Sequence, residues 1–141
     1  MSGLAAASVL LDTCAAIWLA NADAMAASAL EAILAAGSGG GVLVSPVSAW
    51  EIGMLSRRGG LQFLPNPAAW FARLLAGPGI RAAPLSPEIA IAASYLPGAP
   101  HRDPADRLLI ATARMLGVPI VTRDTAIIAY AAQGFADAIV C

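Results

Sequence analysis

The chain has 141 residues, which is room for one domain over residues 1–141 and none for a second. It is 59% hydrophobic and only 12% charged, about half the charge usual in a soluble domain, so its surface cannot be evenly polar and an exposed apolar patch for a partner is expected. All eight basic residues are arginine, which excludes a P-loop, a Schiff-base enzyme and a phospho-accepting receiver, each of which needs a lysine, while the net charge of −1 argues against a broad basic surface for nucleic acid.

Ser8-Val9-Leu10-Leu11 is a short apolar run without helical period and reads as a strand buried on both faces, ending at Asp12. Thr13 to Ala20 reads as helix, as does Ala26 to Ala36, closed by the glycine cluster from Gly37. Val42-Leu43-Val44 forms a second strand. Ser45-Pro46 supplies an N-cap and first helical residue for a helix that runs to Arg58, before Gly59-Gly60. A proline-punctuated stretch leads to a short helix over Ala68 to Ala76, and Arg81 to Leu85 reads as a third strand. Pro87 to Tyr95 is helical. Asp103-Pro104 opens a long helix to Leu116, closed by Gly117. Val118 to Thr122 is a fourth strand, Asp124 to Ala132 a helix and Ala138 to Val140 a last short strand.

This alternation predicts an α/β fold with a parallel sheet covered on both faces, whose ligands bind beyond the carboxyl ends of the strands. The longest uncharged stretch, Ala32 to Trp50, is interrupted by glycines and Pro46, so no membrane span is expected. The N-terminus lacks the basic residues of a secretion signal, which points to the cytoplasm. Cys14 and Cys141 have neither zinc nor disulfide spacing and read as small buried hydrophobes.

Only nine residues are acidic, so their positions carry information. Asp12 and Asp124 follow the ends of two strands, and central parallel strands would set them side by side, where two carboxylates repel unless a cation is bound. Glu51 fits a capping box with Ser48. With Ser45-Pro46 as the better helix start, however, it lies inside the helix on the face of Val47 and Leu55. Asp106 sits in the first turn of the long helix, aligned with Leu109 and Ile110. Asp103 is that helix's N-cap. Thr13 is as able as Asp12 to cap the helix that follows. Asp23, Glu31, Glu88 and Asp137 read as surface charge, and His101, the single histidine, as a loop residue.

The segments Leu10-Leu11-Asp12-Thr13, Ser48-Ala49-Trp50-Glu51-Ile52, His101 to Ala111 and Val121-Thr122-Arg123-Asp124 strongly resemble, in order and spacing, VapC toxins of the PIN-domain family over nearly the whole chain. The resemblance implies a three-layer α/β/α sandwich with a central, mainly parallel sheet, and an acidic quartet of Asp12, Glu51, Asp106 and Asp124 around Mg²⁺, with Mn²⁺ as a substitute. It further implies a Mg²⁺-dependent endoribonuclease that cleaves RNA with a metal-activated water and is inhibited by a cognate VapB-like antitoxin. Two departures stand out: Cys14 occupies a position often held by His, Asn or Ser, and basic residues near the quartet are few.

On this reading Asp12 and Asp124 hold the first ion, Asp106 holds or orients it through water, and Glu51 positions the attacking water or serves a second ion. Thr13, Asp103 and Thr122 are peripheral. Arg102, Arg107 and Arg123 are expected to contact RNA, with Arg57 and Arg58 as an outer rim, and a homodimer is the expected assembly. Rival readings are a thiol enzyme built on Cys14 and His101, a phosphatase with Asp12 as nucleophile, and a non-catalytic protein-binding domain.

Overall fold

The computed structural model describes residues 7–141. Five strands form one sheet: β1 (Ser8–Leu11), β2 (Gly41–Val44), β3 (Ile80–Ala82), β4 (Ile120–Thr122) and β5 (Ala138–Val140), in the order β3-β2-β1-β4-β5. Every pairing is parallel, with Leu11 opposite Val44 on one side and Val121 on the other. The chain builds outward from β1 to β3 and then returns to β1's other side for β4, so the strand order reverses between β1 and β4. A crevice opens at such a switch point, beyond the carboxyl ends of the two strands.

The pleat sends alternate residues of β1 to opposite faces. Leu10 joins Ile120 and a core formed with α5 (Pro87–Ser94), α6 (Pro104–Leu116) and α7 (Thr125–Ala132). Val9 and Leu11 join Val42, Val44 and Val121 in a second core against α1 (Thr13–Ala20), α2 (Ala27–Gly37) and α4 (Pro67–Leu75). The result is a parallel sheet covered on both faces, as the alternation of elements predicts, and the three-layer α/β/α sandwich that the resemblance implies. The helix α3 (Pro46–Arg57) bridges the edge, with Val47 in the first core and Ile52 in a small cluster with Ile17 and Phe63.

Two strands are shorter than expected. β3 ends at Ala82 because its partner β2 ends at Val44, whose carbonyl takes the Ala83 N–H at 2.9 Å before Ser45 turns the chain into α3. Before β4, Val118 donates its N–H to the carbonyl of Ala113 and belongs to the end of α6, where Gly117 adopts φ 68°. Pro119 follows without an N–H, so the strand starts at Ile120. Of the two cysteines, Cys141 is buried as expected but Cys14 is exposed. Its neighbours in the first turn of α1, Thr13, Ala15 and Ala16, are buried, whereas Cys14 lines the cleft at the sheet's carboxyl edge. Among the described residues no helix is long and apolar enough to cross a membrane. Large apolar side chains stand exposed at Leu34, Trp50, Leu64, Ile91, Tyr95 and Met115.

Candidate active site

A cleft of about 390 Å³ opens at the carboxyl edge of β1 and β4, lined by Asp12, Thr13, Cys14, Trp18, Glu51, Asp106, Arg123 and Asp124. The four acids singled out in the sequence therefore line one cavity, although 112 positions separate the first from the last in numbering. A second groove, lined by Trp50, Met54, Arg58 and Asp103, shares Thr13, Cys14 and Glu51 with it.

Asp12 is the most deeply placed acid, and it rather than Thr13 caps α1. Its Oδ1 accepts the Ala15 N–H at 2.8 Å and its Oδ2 accepts the Thr122 hydroxyl at 2.6 Å. Thr122 in turn accepts the Asp124 N–H at 3.0 Å, so one hydroxyl ties the ends of β1 and β4 together. Thr13 is thereby left free for other partners. It donates to Glu51 Oε1, and since a hydroxyl has one proton, the 2.9 Å contact with Ser48 has Ser48 as donor. This Ser48–Thr13–Glu51 relay holds Glu51 toward the cleft from the middle of α3. The capping-box arrangement is absent because Ser45 caps α3, its hydroxyl accepting the Val47 N–H at 3.0 Å. No buried side-chain polar atom among the described residues lacks a partner.

Asp124 caps α7, with Oδ1 accepting the N–H groups of Ala126 and Ile127, each at 2.9 Å. Asp103 caps α6 in the same way through Ala105 and Asp106. Asp106, three residues after that cap, would ordinarily reach back to the N–H of Asp103. Here that N–H is taken by His101 Nδ1 at 3.0 Å, and Asp106 instead faces the cleft. His101 Nε2 lies 3.0 Å from Asp106 Oδ2 and 3.5 Å from Asp124 Oδ1.

Two sets of ligand atoms converge to within 4.8 Å of one another: His101 with Asp106 and Asp124, and Glu51 with Asp103 and Asp106. Asp106 is common to both, and Asp12 belongs to neither. Burial raises the carboxyls of Asp12 and Glu51 above their ordinary range, against the lowering effect of the Thr122 and Thr13 hydroxyls respectively. Asp106 is pushed up to about 7, first by burial, with His101 opposing and the Asp103, Glu51 and Asp124 charges adding to it. The Cys14 thiol is pushed up by burial and by Asp12, Glu51 and Asp106. This is the reverse of what a thiolate nucleophile needs, and it removes support from a thiol enzyme.

The three arginines expected near RNA have different settings. Arg123 lines the cleft, stacked over Trp18 at 4.0 Å and donating to the carbonyl of Cys141 at 2.8 Å. Arg107 does not line it: its guanidinium donates to the carbonyl of Ala93 through Nε and Nη2 and to that of His101, holding the loop between α5 and α6. Arg102 is exposed on that loop, and Arg57 and Arg58 are exposed at the end of α3. The sequence reading missed the contact of His101 with two of the acids. The signal available was its place two residues before an N-cap, within reach of the first turn of α6.

The sequence profile of the PIN domain matches residues 9–133. No curated protein matches the chain in sequence. Among solved structures, the fold is similar to that of a chain from VapBC2 of Rickettsia felis bound to a DNA fragment from their promoter. That match has a TM-score of 0.66 and 11% identity, and covers 94% of this chain and 98% of that one. FitAB bound to the IR36 DNA fragment gives a TM-score of 0.56 at 18% identity, with 94% of each chain covered. FitAcB from Neisseria gonorrhoeae gives 0.53 at 19% identity, over 93% of this chain and 96% of that one.

Proposed function

Because the chain belongs to the PIN-domain family, we propose that it is a divalent-cation-dependent endoribonuclease and the toxin of a VapBC-like toxin–antitoxin pair. PIN domains are in general nucleases. The observation that carries the reading is that Asp12, Glu51, Asp106 and Asp124 line one cleft at the strand switch point, in a chain with only nine acids to place.

A hard cation fits this donor set. Carboxylate oxygens from separate elements converge there, and burial together with like charge disfavours their ionised forms unless positive charge offsets them. Asp106, shared by both groups of ligand atoms, and Asp124 would hold Mg²⁺ or, in its place, Mn²⁺, with Asp12 fixing the floor of the site. When bound, the cation supplies positive charge for the phosphate oxygens and makes water a stronger acid.

The remaining work falls to the chain's own groups. Thr122 and the Ala15 N–H orient the Asp12 carboxylate, and the same threonine fixes the start of α7 and so the position of Asp124. Thr13 holds Glu51 by Oε1, and Glu51's raised affinity for a proton suits it to take one from the attacking water at Oε2. Arg123, held over the Trp18 ring at the rim, presents positive charge to the RNA backbone. Arg58 and the exposed Trp50 of the adjoining groove extend that surface.

The exposed apolar side chains on a chain with so little charge suit a tightly bound antitoxin and a homodimer contact. The structural similarity to VapBC2 and to FitAB supports the toxin role. The test is incubation of total RNA with the purified chain and with Asp12→Ala, each with Mg²⁺ and with EDTA. Cleavage by the wild type with Mg²⁺ alone is expected, and cleavage that survives EDTA or the substitution overturns the reading. Co-expression with the product of an adjacent short reading frame should suppress the cleavage.

A further inference from the structure

Among the described residues, His101 is the one cationic or N–H-bearing side chain placed directly between two of the acids. It projects from the loop that joins α5 to α6, and its side chain is 19% exposed. Its Nδ1 accepts the Asp103 N–H at 3.0 Å and therefore presents a lone pair there. The ring's proton accordingly resides on Nε2, which faces Asp106 Oδ2 at 3.0 Å and Asp124 Oδ1 at 3.5 Å. The imidazole N–H thus sits where a cation shared by those two carboxylates would accept their lone pairs.

This geometry excludes a ligand role for the ring in its present pose. A metal-binding imidazole nitrogen needs a lone pair. Freeing Nε2 would move the proton to Nδ1 and set it against the Asp103 N–H at the same 3.0 Å. The backbone, by contrast, need not move for the ring to leave: the carbonyl of His101 is held by Arg107 Nη1, and the ring lies in a loop outside any helix.

We propose that His101 is a built-in occupant of the cation site. In the metal-free protein its Nε2–H bridges Asp106 and Asp124 and keeps the two carboxylates aimed at one point, and a divalent cation binds by displacing the ring. The proposal rests on the cation site assigned above and adds a competitor that sets the affinity of that site. Two consequences follow. Metal-free protein keeps an ordered cleft instead of splaying its acids apart, and cation affinity is lowered by the fraction of molecules in which the ring is seated.

The chain's single histidine allows this to be read directly. In the wild-type protein with EDTA, imidazole ¹⁵N–¹H correlation spectra should show one ring with its proton fixed on Nε2. Addition of Mg²⁺ should convert that signal to the exchanging pattern of a ring in solvent. Calorimetric titration with Mn²⁺ should show His101→Ala binding roughly tenfold more tightly than wild type, as expected if about nine-tenths of the metal-free molecules have the ring seated. His101→Gln, which preserves a polar side chain in the loop, should lie on the same side of wild type and guards against a folding defect in the alanine variant.

Weaker or unchanged Mn²⁺ binding in both variants overturns the proposal, the weaker case marking the ring as a ligand. Retention of the Nε2 proton signal at saturating Mg²⁺ overturns it as well. Failure of the wild type to bind either ion would instead overturn the nuclease reading, so the two failures are distinct.

Discussion

The two ends of the sheet solve chain reversal with different chemistry. At the amino ends the means are steric: Gly41 starts β2 with φ 112°, Gly79 precedes β3 with φ 74°, and Pro119 precedes β4. A Cβ on Gly79 would stand 2.6 Å from the carbonyl oxygen of Gly37, so the two turns pack backbone to backbone. At the carboxyl ends the means are polar. Asp12, Thr13, Ser45, Ser48 and Thr122 are all buried there, and among the described residues Thr112 is the one buried polar residue elsewhere. Burying polar groups is costly unless each finds a partner. Here they do, in two hydroxyl relays that end on Asp12 and Glu51. One end of the sheet is organised for packing, and the other holds carboxylates in place.

Substitutions should therefore separate activity from stability according to the end they touch. The largest effect is expected at Asp106, the acid common to both groups of converging ligand atoms. Asp106→Asn should reduce RNA cleavage by about 10²–10³-fold, the usual scale for losing one preorganised electrostatic group. Its metal-free melting temperature should stay level or rise, because the change removes like-charge repulsion. A variant that melts earlier and loses cleavage in proportion would make Asp106 a structural residue.

At the opposite end, Gly79→Ala combines a strained positive φ with a backbone clash and should cost about 3 kcal/mol in chemical denaturation. Cleavage per folded molecule should be unchanged. Loss of cleavage in fully folded Gly79→Ala would mean that the two ends are coupled. Between these cases lies Thr122→Val, which keeps the shape and removes the hydroxyl that serves both Asp12 and the Asp124 N–H. It should lower stability by about 1–3 kcal/mol and weaken cation binding as well, a double effect measurable by denaturation and by calorimetry.

The steric end and the strands were readable in the sequence because they are governed by local rules. Ser45-Pro46 and Asp103-Pro104 mark helix starts, and apolar runs without helical period mark β1 and β2. The third and fourth strands stop short of the expected runs for reasons outside those runs or at their start: β3 loses its partner where β2 ends at Val44, and Pro119 cannot donate to the ladder ahead of β4. That the four acids share a cleft could be anticipated from two strand ends and two helix faces. The relays could not, because they depend on which hydroxyl wins which partner across distant elements. Thr13 was as good a cap for α1 as Asp12 by propensity, yet tertiary contact with Ser48 and Glu51 assigns it elsewhere. His101 escaped for a similar reason: no periodicity governs the direction of a loop side chain, and its partners lie five and 23 positions along the chain. Cys14 counts as apolar by composition, but it is the residue of the first turn of α1 that lines the cleft while Thr13, Ala15 and Ala16 are buried.

The smallest expected effect is a pH dependence peculiar to the polar end. Burial raises the carboxyls of Asp12 and Glu51, and that of Asp106 to about 7 from an ordinary 3.8. Between those values the folded protein binds more protons than the unfolded chain, so the stability of the metal-free protein should fall as pH rises through that window. This is opposite in sign to a protein whose carboxylates are held ionised by salt bridges. The effect is modest because Asp106 and Glu51 remain partly open to solvent, which limits their desolvation and screens their repulsion. A cation binds the deprotonated carboxylates, so its affinity should rise over the same window and offset the loss. Thermal melts in EDTA at about pH 5 and about pH 7.5 should therefore differ by a few degrees, the higher pH being less stable, and saturating Mg²⁺ should abolish the difference. A metal-free melting temperature that climbs across this interval would mean that the acids at the polar end are held as anions by the protein itself, leaving a cation little to add.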